Sequence, residues 1–255
     1  NSFANISGEN AVSGGFLAAL LAGFVAGYLV LGIKKLADKL PESMEGIKPV
    51  LIYPLFGVLL IGVFMFAVNP TMAAINTGIT SFLNSMGGSS KILLGCIVAG
   101  MMSIDMGGPF NKAAYVFGTA SIASGIYDVM AAVMIGGMIP PLAVALATTF
   151  FKKKFTSEER KSGVVNYIMG LCFITEGVIP FAAADPLRVI PSCVAGSAVA
   201  GGLSMLFGCT LRAPHGGIFV FPVVGNVVGY LIALAAGSLV GMLLLGVLKK
   251  DKVAE

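Results

Sequence analysis

Charge is scarce in this chain. Asp, Glu, Lys and Arg together make up 11% of its 255 residues, and 57% are hydrophobic. A soluble domain carries roughly a quarter charged residues, so water is excluded as the solvent for most of this surface. Strict alternation of polar and apolar residues is also lacking. A transmembrane barrel is built from about ten-residue segments of that kind, whereas "GFLAALLAGFVAGYLVLGI" (Gly15–Ile33) is apolar on every side. The opening "NSFANISGENAVS" has no basic start, which excludes a secretory signal. It also lacks an initiator Met, so the chain is read as a fragment. The four cysteines, Cys96, Cys172, Cys193 and Cys209, show no close pairing. That excludes a zinc or redox motif and leaves four small buried residues; no metal and no cofactor are expected.

What remains is apolar sequence in long runs. Uncharged stretches extend over Asn10–Ile33, Pro49–Ser90, Val129–Phe151 and Gly216–Leu248, and roughly 20 apolar residues suffice to cross a bilayer as a helix. The fold class is therefore all-α, a polytopic membrane protein. The net charge of +4 calls for no nucleic acid, because the basic residues are confined to three segments: Lys34–Lys48, Lys152–Lys161 and Lys249–Lys252. All three are expected on the cytoplasmic side, with an even number of crossings between them.

Along the chain, spans are expected at Gly15–Ile33, Pro49–Val68, Val129–Phe151, Val189–Phe207 and Gly229–Leu248, with Pro140 and Pro141 kinking the third. After Asn69 and Pro70 the pattern changes. Ile75, Ile79, Phe82, Leu83 and Met86 recur at helical spacing among polar residues, which predicts a separate amphipathic helix in the membrane interface. Two apolar segments are too short to cross and run into polar breaks: "KILLGCIVAGMMSI" before Asp105, and "SGVVNYIMGLCFIT" before Glu176. In each break the acid is followed by Pro at the fourth residue (Pro109, Pro180) and Phe at the fifth (Phe110, Phe181). Interrupted hydrophobic segments in corresponding positions point to a transporter's binding site. Small-residue pairs Gly23/Gly27, Gly225/Gly229 and Gly237/Gly241 fit close helix packing.

A carboxylate in a membrane interior is costly unless paired. Glu176 is therefore either neutralised by Arg188 or exposed to substrate as a strong acceptor for hydroxyl groups. Asp105, Asn111 and Lys112 either stitch a hairpin together, with Lys112 paired to Asp105, or contact a ligand. His215 and Arg212 lie in a Gly-Pro-rich third break, either as packing residues or as donors to an arriving phosphoryl group. Asp185, before Pro186, reads as a turn or helix cap.

The segments "FITEGVIPFAAADPLRVIPS", "SIDMGGPFNKAAY" and "APHGGIFVFP" resemble the signature segments of fructose-family enzyme IIC, the membrane subunit of the bacterial sugar phosphotransferase system. The resemblance runs from about Gly14 to Leu248. It implies a single permease domain over residues 1–255, without IIA or IIB domains and lacking its N-terminal spans. It further implies two re-entrant hairpins meeting at the sugar, import of a hexose such as fructose, and a transferase acting with a phosphorylated IIB partner. A homodimer in the bacterial inner membrane is implied as well. Glu176 matches the family's sugar-bonding glutamate. In other branches a catalytic His lies upstream of that Glu, whereas His215 lies downstream. The resemblance implies the sugar-bonding role of Glu176; the residues themselves add His215 beside it as a catalytic candidate, and Asp105, Asn111, Lys112, Arg212 and His215 with Glu176 as candidate sugar contacts. The rival reading is an ion-coupled secondary transporter in which Glu176 and Asp105 carry protons or sodium.

Overall fold

The structure is a computed structural model that describes residues 15–85 and 88–252. It is helical apart from one two-stranded ribbon, and the chain divides into two compact units, residues 1–83 and 84–255. Four helices among the described residues are long and apolar enough to cross a membrane: 48–75, 128–150, 186–206 and 227–248.

The first unit holds α1 (Gly15–Ala37) and most of α2 (Tyr53–Ser85), joined by the lysine-rich connector. No separate amphipathic helix begins at Asn69–Pro70, contrary to the sequence-based expectation, because α2 continues through Pro70 to Ser85. Proline removes only one backbone bond, and a helix in a low-water setting retains the others rather than expose them. Of the expected apolar set, Ile75 and Phe82 are exposed. The side chains of Ile79 and Leu83, and Met86 altogether, lie outside the described residues.

The second unit is built round α5 (Asp128–Phe150), whose residues from Val129 to Ala145 are all buried. It continues through Pro140 and Pro141 as one helix and packs against α3 (Gly88–Ile104), α4 (Pro109–Ala123), α6 (Ser157–Leu171), α8 (Pro186–Leu206) and α9 (Val227–Leu248). Small residues permit this density. Gly136 of α5 lies on Ala99 of α3, and Gly237 of α9 lies on Gly196 and Ala200 of α8. Gly241 packs on Ala143, so the Gly237/Gly241 pair does join helices. Gly23 and Gly27 face open space, Gly225 meets Thr210 of the ribbon, and Gly229 meets Asn226 and Phe207 at the end of α8. Some polar atoms in this interior are paired locally, the Ser103 and Ser197 hydroxyls lying 2.5 Å apart and Ser197 donating to the Gly136 carbonyl at 2.8 Å, while the hydroxyls of Ser204, Tyr230 and Ser238 are buried without a partner among the described residues.

Both short segments become helices that stop before their acid, α3 directly at Asp105 and α6 some residues short of Glu176. α3 ends at Ile104 and α4 restarts at Pro109; α6 ends at Leu171, and a 3-10 turn (Thr175–Val178) leads into short α7 (Ile179–Ala184). Pro109 and Pro180 both sit in the first turn of the new helix, where a missing N–H costs nothing. The third break forms a ribbon of β1 (Thr210–Leu211) and β2 (Val224–Gly225), pairing Thr210 with Gly225 and Leu211 with Val224, with a 3-10 helix at Gly217–Val223 between them.

Candidate substrate site

The first break folds tightly because Asp105 supplies its own cap. Its Oδ2 accepts the Phe110 amide at 2.6 Å and its Oδ1 the Asn111 amide at 3.0 Å, satisfying two of the orphan donors at the start of α4. The chain between them passes through Met106 (φ 48°) and Gly107 (φ 117°). Asn111 is buried, and its Nδ2 donates to the Met102 carbonyl at 2.8 Å, tying α4 back to α3. Asp105 and Asn111, the expected sugar contacts of this segment, are thus committed to the hairpin itself. Lys112 does not pair with Asp105; it reaches Glu176 instead.

In the second break Glu176 makes no comparable cap. Its side chain is about half exposed (48%), and Oε1 stands 3.7 Å from Lys112 Nζ, itself 61% exposed. Gly107 lies directly beneath this carboxylate: a Cβ there would come within 2.7 Å of Oε1, besides straining a backbone at φ 117°. The two breaks therefore meet, with the carboxylate of one resting on the turn of the other. Behind Glu176, Thr175 donates to the Gly137 carbonyl of α5 at 3.3 Å, anchoring the turn to the central helix. Arg188 does not neutralise Glu176. It binds Asp185 at 3.0 Å, one turn into α8. Asp185 occupies the N-cap position of α8, as its sequence context predicts, while its carboxylate binds Arg188 and Lys249 rather than the helix amides.

The third break supplies a wall. Gly217 (φ 55°) lies against the backbone of Leu171–Phe173, so close that no side chain fits. This brings the His215 ring to 5.1 Å from the Phe173 ring and 6.5 Å from Tyr115, with Tyr115 and Phe173 6.4 Å apart. Tyr115 follows Lys112 by one helical turn, and Phe173 precedes Glu176 by three residues. The sequence analysis missed both aromatics, although both stand inside the quoted segments. The signal was the i, i+3 spacing of Lys112 and Tyr115, which shares a helix face. Arg212 is placed elsewhere, with its guanidinium carbon 4.9 Å from the centre of the Tyr127 ring. The assembled feature is an ion pair beside three rings, with one carboxylate acceptor, one cationic donor in Lys112 and apolar faces. That combination suits a polyhydroxylated ligand, whose hydroxyls need bonds and whose C–H faces need a flat surface.

The profile of the family described as "Phosphotransferase system, EIIC" matches residues 1–196. The chain belongs to that family. Among EIIC relatives, the "PTS system fructose-specific EIIABC component" of Bacillus subtilis (strain 168) is 53% identical over 237 residues, 92% of this chain and 37% of that protein. The "Fructose permease IIC component" of Bacillus amyloliquefaciens is 52% identical over 92% of this chain and 78% of its own length. The "PTS system fructose-specific EIIC component" of Haloferax volcanii is 44% identical over 89% of this chain and 60% of its length. No solved structure matches. The chain thus spans 37% of the length of the Bacillus subtilis EIIABC relative. All segments that build this candidate site fall within the second unit.

Proposed function

We propose that this chain is the sugar-binding and translocating part of a phosphotransferase-system permease of the bacterial inner membrane. It forms one permease domain, works as a homodimer and imports a hexose, fructose in the first instance. The observation that carries the reading is the half-exposed Glu176 carboxylate, held on the Gly107 turn beside Lys112 and the rings of Tyr115, Phe173 and His215. Glu176 accepts hydrogen bonds from sugar hydroxyls, the rings bear on the sugar's C–H face, and Lys112 donates. In the transfer step the hydroxyl oxygen attacks phosphorus of a phosphocysteine on a separate IIB partner. The P–S bond breaks as the P–O bond forms, the thiolate leaves, and the hydroxyl proton passes to Glu176. His215, with an imidazole donor beside the same rings, stabilises the equatorial oxygens; such transfers depend mainly on positioning and charge. Asp105 and Asn111 contribute by holding the first turn, and Arg212 by holding the third break against Tyr127. No observation favours coupling to an ion gradient.

The test is phospho-IIB-dependent phosphorylation of labelled fructose by the full-length protein. Losing one charge-assisted hydrogen bond costs about 1.5–3 kcal/mol, so Glu176→Gln lowers sugar binding or phosphorylation roughly tenfold to a hundredfold while the protein stays folded. Unchanged activity in that variant, or uptake driven by an ion gradient without phospho-IIB, overturns the reading.

A further inference from the structure

Away from the substrate site, an open cavity of about 330 Å³ lies between the last turn of α5 and the first two turns of α6. Three cations line it: Lys152, Arg160 and Lys161. None of the three forms an ion pair or side-chain hydrogen bond among the described residues. The Nε of Arg160 is buried there without a partner, a charged donor with nothing to receive its proton. The acids nearby do not compensate. Glu159 is committed to the Thr156 amide and to Lys252, and Glu158 does not line the cavity. The threonines of the floor spend their protons inward, Thr148 and Thr149 both donating to the Ala145 carbonyl. Ser157 adds a hydroxyl with no partner among the described residues. The cavity offers donors and positive charge, which selects an anion with several oxygens.

What lies next to the cavity decides the source of that anion. Val164, also in its lining, is 60% exposed, and Ile168, one turn further along the same face of α6, is 68% exposed. Phe150, at the end of α5, is 67% exposed. A cationic notch therefore opens directly onto an apolar strip, within the basic segment Lys152–Lys161 of the second unit. A free phosphate would use the notch and leave the strip bare, whereas a lipid with an anionic head uses both. The eleven steps from Arg160 to Leu171 lift the second break roughly 16 Å along α6 at about 1.5 Å per residue, too far for a phosphoryl group held here to be in transit to Glu176.

We propose that this notch binds the phosphate of an anionic phospholipid of the cytoplasmic leaflet, with its acyl chains along Val164 and Ile168. The test uses the full chain in detergent, with phosphatidylglycerol, phosphatidylcholine and inorganic phosphate as probes. Retained lipid is counted by native mass spectrometry, and the unfolding midpoint is followed by heating. Phosphatidylglycerol is expected to stay bound and raise the midpoint, with phosphatidylcholine at least tenfold weaker. The double variant Arg160→Gln, Lys161→Gln loses that preference at least tenfold, while Lys34→Gln, Lys35→Gln in another basic segment keeps it. If the double variant fails to fold, Lys152→Gln with Ser157→Ala serves in its place, and Arg160→Lys restores binding in part. Equal retention of both lipids overturns the proposal, as does retention of phosphatidylglycerol by the folded variants. Inorganic phosphate competing where phosphatidylglycerol does not bind makes it a free-anion site. Variants that lose phospho-IIB-dependent turnover with lipid binding intact make it a protein-docking surface. Either result also refutes the lipid assignment.

Discussion

Replacing Asp105 by Asn leaves one carbonyl oxygen where two carboxylate oxygens now accept the amides of Phe110 and Asn111. A charged cap of this kind contributes about 1–2 kcal/mol, so Asp105→Asn lowers the unfolding midpoint and exposes the first turn to protease. Glu176→Gln, which gives up only the half-exposed pair with Lys112 at 3.7 Å, leaves the midpoint nearly unchanged. Swapping these two outcomes in a thermal-shift and binding comparison refutes the division of labour. Gly107→Ala is the complementary change. It places a methyl group 2.7 Å from Glu176 Oε1 at φ 117°, so it displaces the carboxylate and weakens sugar binding without touching a charged group. Isothermal titration with fructose reads this directly; unaltered affinity shows that Glu176 does not need its seat on that turn.

The helices were legible because hydrocarbon permits little else: long uncharged runs became α1, the first part of α2, α5, α8 and α9, with ends no more than about four residues from expectation except at the end of α2. The end of α2 was not legible, since Asn69–Pro70 marks a stop in water but only a missing bond where the alternative is exposed backbone. The breaks themselves were readable from Asp105, Glu176 and their prolines, but not the different uses of the two acids. That difference is set in three dimensions, by which carboxylate reaches free amides and which rests on a neighbouring turn. Asn166 of α6 was equally invisible. Its amide is buried with neither polar atom bonded, pressed against Gly177 beside Glu176. Replacing an unpartnered buried amide with an apolar group of similar shape recovers about 1–3 kcal/mol, so Asn166→Leu raises the unfolding midpoint. A lowered midpoint indicates that the amide is paired in the protein as it exists in the membrane.

At the scale of the molecule, the second and third basic segments are joined, as a shared cytoplasmic side requires. Lys154 donates to the Lys249 carbonyl at 2.6 Å and Lys252 N–H to the Lys153 carbonyl at 2.9 Å, while Lys252 Nζ binds Glu159 at 2.9 Å. Lys249 is 2% exposed, lies 4.9 Å from the centre of the Phe155 ring and pairs with Asp185 at 3.5 Å. Burial works against the ionised Glu159, yet Lys252 and the Thr156 amide outweigh it and hold the carboxyl below its ordinary value of 4.5. A depressed carboxyl stabilises the fold above its unfolded value and loses that contribution as pH falls through the folded one. The tether to Lys252 is therefore expected to be intact at neutral pH and to release only below about pH 4.5. Hydrogen exchange at the Lys252 amide follows this, and release near neutrality refutes it.

The clasp formed by Lys249 and Lys252 joins residues about 95 positions apart in the chain. A ribosome adding about 5–20 residues per second delivers the loop around Lys153 some 5–20 s before the residues that close over it. During that interval Phe155 has no ammonium above it and Asp185 has only Arg188. The loop is thus vulnerable while the protein is being made and protected once synthesis has passed Lys252. Stopping translation after Leu248 should hold it in the vulnerable state, seen as rapid tryptic cleavage at Lys152–Lys154 in membranes from the outside of the clasp, whereas chains extended past Lys252 resist. Equal cleavage of the two would mean that the loop closes without its late partner.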